Sequence, residues 1–174
     1  MRILVLFFPI ILLLSYCHSN AILDKNAVPE QQITPLTIFL VRHAEKAPGT
    51  NPALTIEGQL RAKKIAAMLE KVELDAVFST NYKRTQATAI PTATSQQLDI
   101  LDYNPRELEA FSSMLELDYA GKNILVVGHS NTTPKLCGLL ENNPTYDAFD
   151  ESDYGNLIIV TIAADGRKAV FLRF

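Results

Sequence analysis

The chain has 174 residues, 20% of them charged, and a formal net charge of −3 with both signs interspersed. It carries neither a basic stripe nor a patterned aromatic platform, so nucleic acid is not an expected partner. Cys17 falls in the N-terminal segment and leaves Cys137 as the domain's one cysteine, which excludes an internal disulfide framework.

Residues 1–21 have the layout of a secretory signal, with Arg2 before an apolar run from Ile3 to Leu14 and polar residues after it. The run is shorter than the roughly 20 residues of a membrane-spanning helix. Two routes for removal of this signal fit the sequence. A lipobox-like stretch would leave Cys17 lipidated and attach the protein to a membrane, whereas residues 19–21 offer ordinary cleavage. Either route predicts an exported protein, periplasmic or extracellular.

Residues 22–35 are polar, with few large apolar side chains, and predict a flexible tether. The remainder, residues 36–174, has the usual size of one domain.

The domain begins with an apolar run, Leu36 to Val41, typical of a strand buried on both faces. Thr55 can then cap an amphipathic helix. Leu74 to Phe78 predicts a second strand, and residues 79–81 are good caps for a helix that Pro91 ends or kinks.

A third strand is predicted at Leu98 to Leu101, and a third helix from Asn104, as its cap, to about Tyr119. Asn123 to Val127 is the clearest buried strand, and a helix with Pro134 in its first turn follows. The closing runs, Asn156 to Ala163 and Lys168 to Phe174, flank an Asp165-Gly166 turn and predict a β-hairpin.

This alternation predicts an α/β fold of three layers. A mostly parallel, doubly wound sheet would carry helices on both faces and end in the antiparallel hairpin. In such sheets the ligand crevice lies beyond the carboxyl ends of the strands. Arg42-His43, the segment 79–84 and Gly128-His129 all follow predicted strands and would meet there.

This set of side chains is suited to phosphoryl chemistry. The guanidinium of arginine stays charged and donates paired hydrogen bonds to an oxyanion. A neutral histidine can act as nucleophile when one ring nitrogen holds its proton and the other faces phosphorus. We therefore expect a small phosphorylated substrate.

Four segments resemble the histidine phosphatase (phosphoglycerate mutase-like) superfamily. Residues 41–45 resemble its Arg-His-Gly signature, with Ala44 in place of glycine. Leu54-Thr55 with Gly58 and Ala62 resembles the stretch that follows it, and segments 79–89 and 126–132 resemble those carrying the second arginine and second histidine. Their order and intervals fit along about 140 residues, and the short chain resembles a minimal branch without a large cap insertion.

The resemblance implies that His43 is phosphorylated in turnover and that Arg42, Arg84 and a positively charged His129 hold the phosphoryl group. It implies no metal and no organic cofactor. We further infer that the helix start at Ser130 and Asn131 offers free N–H groups to the anion.

The proton donor is the open role. The candidates are Glu107 and Glu109, and Glu109 lies closer to the place where the superfamily's phosphomonoesterases carry an acid. Both also fit as first-turn helix acids. Glu45 is expected to support its loop or to pair with Lys46 or an arginine. With no acid at all, the chain would resemble the superfamily's minimal phosphohistidine phosphatases.

The sequence thus predicts hydrolysis of a phosphate monoester or phosphohistidine through a phosphohistidine on His43. The alternative is a phosphate- or phosphopeptide-binding module with little or no catalysis, and a phosphomutase is less favoured. Specificity would come from the loops at 46–52, 103–111 and 142–154. No motif in the sequence points to a particular substrate or oligomeric state.

Overall fold

The computed structural model describes residues 34–143 and 146–174. The predicted signal, with Cys17, and all but the last two residues of the predicted tether lie outside the described residues. Within the described ranges, no helix is long and apolar enough to cross a membrane.

A six-stranded sheet with strand order β3-β2-β4-β1-β5-β6 forms the middle layer. The strands are β1 Leu36–Arg42, β2 Ala76–Ser79, β3 Ile100–Asp102, β4 Asn123–Gly128, β5 Asn156–Ala163 and β6 Gly166–Arg173. The helices are α1 Ile56–Met68, α2 Lys83–Gln96, α3 Leu108–Asp118 and α4 Thr132–Glu141. Strands β1 to β4 run parallel, and the β5–β6 hairpin adds to β1 in antiparallel orientation.

Alternating side chains of the central strands build one apolar core on each face of the sheet. Ile38 and Leu40 pack with residues of α3 and α4, whereas Phe39 and Val41 pack with residues of α1 and α2. Because both faces are covered, the central strands carry continuous apolar runs. The predicted three-layer α/β fold and its closing hairpin are confirmed.

Two of the predicted helix starts are wrong. Helix α2 begins at Lys83 with Tyr82 as its N-cap, because the hydroxyl of Thr80 bonds to Thr85 and His129 instead of capping the helix. Helix α3 begins at Leu108 with Glu107 as its N-cap. The predicted cap, Asn104, instead closes a turn by accepting from the N–H of Arg106 through its side chain.

Of the two outcomes predicted for Pro91, an end or a kink, the end is excluded, since α2 continues to Gln96. A proline removes one backbone donor. Ala89 and Ala93 on either side of it are buried against the sheet, and this packing outweighs the lost hydrogen bond.

Candidate active site

His43 lies immediately beyond β1, and its backbone N–H donates to the carbonyl of Gly128 at 2.9 Å. Its ring Nδ1 is 2.8 Å from the carbonyl oxygen of Ala44, which can only accept, so Nδ1 carries the proton. Nε2 is therefore the ring nitrogen with a free lone pair. Burial, followed by the positive charges of Arg84 and Arg42, lowers the pKa of His43 to about 4.

Helix α1 supports the loop after His43 through small residues. The side chain of Thr55 caps the helix and accepts from the N–H of Gly58 at 3.1 Å. A Cβ on Gly58 would overlap with the backbone of Glu45, so only glycine permits this approach. Ala62 packs against Ala44, which explains the small residues of the Leu-Thr segment.

Glu45 pairs with an arginine, which was one of the two outcomes expected for it. Arg61 Nε lies 2.8 Å from Glu45 Oε1 and 2.9 Å from Oε2. Desolvation is the largest single influence on the pKa of Glu45 and would raise it, but the hydrogen bonds from Arg61 and the backbone, with the charges of Arg61 and Arg42, together lower it. This ion pair fastens α1 to the loop behind the nucleophile.

A chain of hydroxyl groups fixes the proton of His129. Arg84 Nη2 can only donate and lies 3.2 Å from His129 Nδ1, so that nitrogen accepts and Nε2 is protonated. Nε2 donates to Thr80 Oγ1 at 2.9 Å. The Thr80 hydroxyl donates to Thr85, whose own hydroxyl donates to the Thr80 carbonyl oxygen.

The surroundings of His129 favour the neutral ring, and the positive charge expected of it against a bound phosphoryl group stays a prediction. Burial and then the charges of Arg84 and Arg42 lower its pKa to about 4, against the opposing effect of Glu151. A phosphoryl dianion placed beside the ring would favour the protonated form and raise this pKa. The positive charge of His129 thus depends on the ligand.

Arg84 lies at the start of α2, and its guanidinium also covers the ring of Tyr82 at 4.6 Å. Its Nε is buried and has no hydrogen-bond partner among the described residues. Because Arg84 lines the cavity, its permanent positive charge can attract an oxyanion there.

Arg42 lies beneath the site and does not line the cavity. Its side chain is buried, and Nη1 donates to the carbonyls of Asp150 and Asp153 at 2.8 and 2.9 Å. Nη2 donates to the carbonyl of Glu151 at 3.0 Å, and the ring of Tyr154 lies 4.1 Å from the guanidinium carbon. Arg42 thus anchors residues 150–154 through both terminal nitrogens. We call this segment the strap. The Nε of Arg42 has no partner among the described residues.

A cavity of about 320 Å³ opens at the carboxyl ends of the parallel strands. Its lining contains both histidines, three cationic side chains and one carboxylate: His43, Lys46, Tyr82, Arg84, Pro105, Arg106, His129, Ser130, Asn131, Thr132 and Glu151. Among the described residues, no group of three or more His, Cys, Asp or Glu side chains could hold a metal ion. The cavity is shaped and charged to hold an anion beside a neutral imidazole.

The structure brings His43, Arg84, His129 and Asn131 together in this cavity but leaves the predicted acids outside it. Glu109 pairs with Lys135 at 3.0 Å, and its side chain is 63% exposed. Glu107 is exposed at the N-cap of α3. Neither glutamate is placed to give a proton to a group bound in the cavity.

Several residues of the cavity were not predicted to be functional, above all Lys46, Arg106 and Glu151. Each comes from one of the three loops expected to set specificity. The location of these loops was predictable from the strand ends. Their individual side chains were not, because the loops have no recurring sequence pattern.

Residues 38–106 match the model of the histidine phosphatase superfamily, branch 1. The matched segment contains Arg42, His43 and Arg84 and ends before His129. A comparison with curated proteins finds no match.

Solved structures of phosphatases share the fold. The alpha-ribazole phosphatase from Shigella flexneri is 18% identical, with a TM-score of 0.65 over 79% of this chain and 96% of that chain. The protein histidine phosphatase SixA, solved with tungstate, is 18% identical, with a TM-score of 0.59 over 78% and 94%. A phosphoserine phosphatase from Entamoeba histolytica, solved with phosphoserine, is 16% identical, with a TM-score of 0.58 over 78% and 96%.

Proposed function

We propose that this chain is a histidine phosphatase that hydrolyses a small phosphate monoester or a phosphohistidine. The observation that carries the proposal is the state of His43. Its Nδ1–H donates to the Ala44 carbonyl oxygen, and the pKa of the ring is lowered to about 4. A histidine in this state presents a neutral Nε2 at working pH, as nucleophilic attack on phosphorus requires.

The cations around His43 support the same reaction. Arg84 lines the cavity, and His129 can take up a proton when a dianion approaches. Phosphoryl transfer depends mainly on positioning and on stabilising charge spread over the equatorial oxygens. His43 would attack in line with the leaving group, and water would then cleave the phosphohistidine.

The phosphatase names of the matched family model and of proteins sharing the fold support this assignment. The cavity accommodates a small phosphorylated group, and Lys46 and Arg106 lie in its lining. We also propose export, periplasmic or extracellular, with attachment through a lipidated Cys17 as one route. This second proposal rests only on the amino-acid pattern of residues 1–21.

The test compares wild type with His43→Asn, which keeps a polar, though smaller, side chain but lacks the nucleophilic imidazole. Wild type is expected to hydrolyse p-nitrophenyl phosphate and to bind inorganic phosphate, whereas the variant binds phosphate without turnover. Equal rates for the two proteins would overturn the mechanism. Phosphate binding without turnover in wild type would favour the binding module instead.

A further inference from the structure

Glu151 is the only carboxylate in the cavity lining among the described residues. Its Oε2 lies 3.2 Å from Arg42 Nη2, and its Oε1 accepts a hydrogen bond from Ser130 Oγ at 2.5 Å. Arg42 precedes one active-site histidine in the chain and Ser130 follows the other. The carboxylate is therefore tied to the ends of both strands that deliver the histidines.

The backbone beneath Glu151 is held as firmly as its side chain. The guanidinium of Arg42 bonds to three carbonyl oxygens of the strap, those of Asp150, Glu151 and Asp153, at 2.8 to 3.0 Å. Because the Arg42 side chain is itself buried, these bonds hold in place the backbone that carries Glu151. The Glu151 side chain itself is 74% exposed, so water reaches the carboxylate.

The charge of Glu151 is unfavourable for simple phosphate binding, since a carboxylate repels a dianion in the same cavity. The hydrogen bond from Ser130, followed by the charges of Arg42 and Lys46, lowers the pKa of Glu151 and keeps it ionised at neutral pH. An ionised carboxylate beside a phosphoryl site can accept a proton. This arrangement suits activation of water.

We propose that Glu151 is the general base of the second half-reaction, in which the phosphohistidine is hydrolysed. Water attacks phosphorus and gives one proton to the Glu151 carboxylate while the bond from phosphorus to His43 Nε2 breaks. The electron pair of that bond returns to the imidazole, and inorganic phosphate leaves. Glu151 then releases the proton to solvent. This inference rests on the proposed phosphatase function.

The experiment is rapid-quench kinetics of Glu151→Gln with p-nitrophenyl phosphate. Glutamine keeps the size of the side chain and the backbone contacts to Arg42 but cannot accept the proton. We expect a burst of about one equivalent of p-nitrophenol per active site, then a steady-state rate lowered roughly 100-fold or more, the usual contribution of a positioned base. Phosphohistidine should accumulate on the variant.

Two further variants serve as controls. Asp147→Asn removes an exposed acid elsewhere in the same loop and should keep the wild-type rate. In Glu151→Ala, added formate should restore part of the turnover, because a free carboxylate can replace the lost base. Loss of structure would not be repaired by formate.

The proposal is overturned if Glu151→Gln turns over at the wild-type rate, or if its burst and steady-state rates fall together. It is also overturned if phosphohistidine accumulates in Glu109→Gln instead. Failure of the proposed function would look different, because wild type itself would then form no phosphohistidine.

Discussion

The protonation states of the two histidines are set by the groups on their ring nitrogens. The Ala44 carbonyl holds the proton of His43 on Nδ1, and the Arg84 guanidinium leaves His129 its proton on Nε2. Burial is the largest cause of the lowered pKa of each ring. One site thus holds two neutral imidazoles among several cations, one suited to attack and the other able to acquire charge.

Titration of the ring protons by NMR should find midpoints near pH 4 for both His43 and His129, because burial and nearby cations disfavour the protonated rings. His43→Asn and His129→Asn identify the signals. Midpoints close to 6.5 would show that the rings are solvated and that the protein does not prepare the nucleophile. Saturating phosphate should raise the midpoint of His129.

Arg84→Met should raise the KM for p-nitrophenyl phosphate roughly 10- to 100-fold, because a hydrogen bond to a charged group contributes about 1.5–3 kcal/mol. It should also raise the pKa of both histidines, since Arg84 lowers both through its charge. Lys83→Met, at the exposed neighbouring position, is the matched control and should change neither quantity. An unchanged KM in Arg84→Met would remove Arg84 from the phosphate pocket.

At the scale of the elements, the site depends on how α1 meets the loop that follows β1. The backbone of Glu45 contacts Gly58 closely, and its carboxylate holds Arg61 of the same helix. A side chain at position 58 would push the helix and the loop apart. The loop carries the carbonyl of Ala44, which orients His43.

Gly58→Ala should therefore lower both stability and activity. Overpacking a tight contact usually costs about 1–3 kcal/mol of the free energy of unfolding, and the displaced loop should lower kcat as well. Urea denaturation and steady-state kinetics measure the two effects. Gln59→Ala, at the next and exposed position, is the control. If Gly58→Ala matched wild type in both assays, the close approach would be unimportant.

The strands and their ends could be predicted from the sequence because burial on both faces leaves continuous apolar runs such as Leu36 to Val41. On that basis three residues were predicted to follow strand ends, and all three meet in the cavity: His43, Arg84 and His129. The helix starts at Lys83 and Leu108 could not be predicted, because Thr80 and Asn104 bond to other partners. Glu151 was missed for a similar reason: a buried arginine, not a local motif, positions its loop.

For the molecule as a whole, the two buried histidines couple folding to pH. Each has a folded-state pKa near 4, below the ordinary value of 6.5, so the unfolded chain binds more protons between these limits. The part of the free energy of unfolding that depends on these two neutral rings is fully present above pH 6.5 and is lost as the pH falls towards 4. Carboxylates with lowered pKa, such as Glu45, add a further loss at lower pH.

Urea denaturation should show the free energy of unfolding falling by several kcal/mol from pH 7 to pH 4.5, since each pKa unit corresponds to about 1.4 kcal/mol. The double variant His43→Asn/His129→Asn should flatten most of this slope, because asparagine does not titrate. A slope that stays the same in the double variant would assign the acid sensitivity to other groups.

The central claim, that His43 accepts the phosphoryl group, is tested most directly by mapping the phosphorylated residue after a rapid quench with substrate. Peptide mass spectrometry at alkaline pH, where phosphohistidine survives, should place a single phosphoryl group on His43 and none in His43→Asn. A phosphoryl group on another residue, or none during active turnover, would show that His43 is not the phosphoryl acceptor.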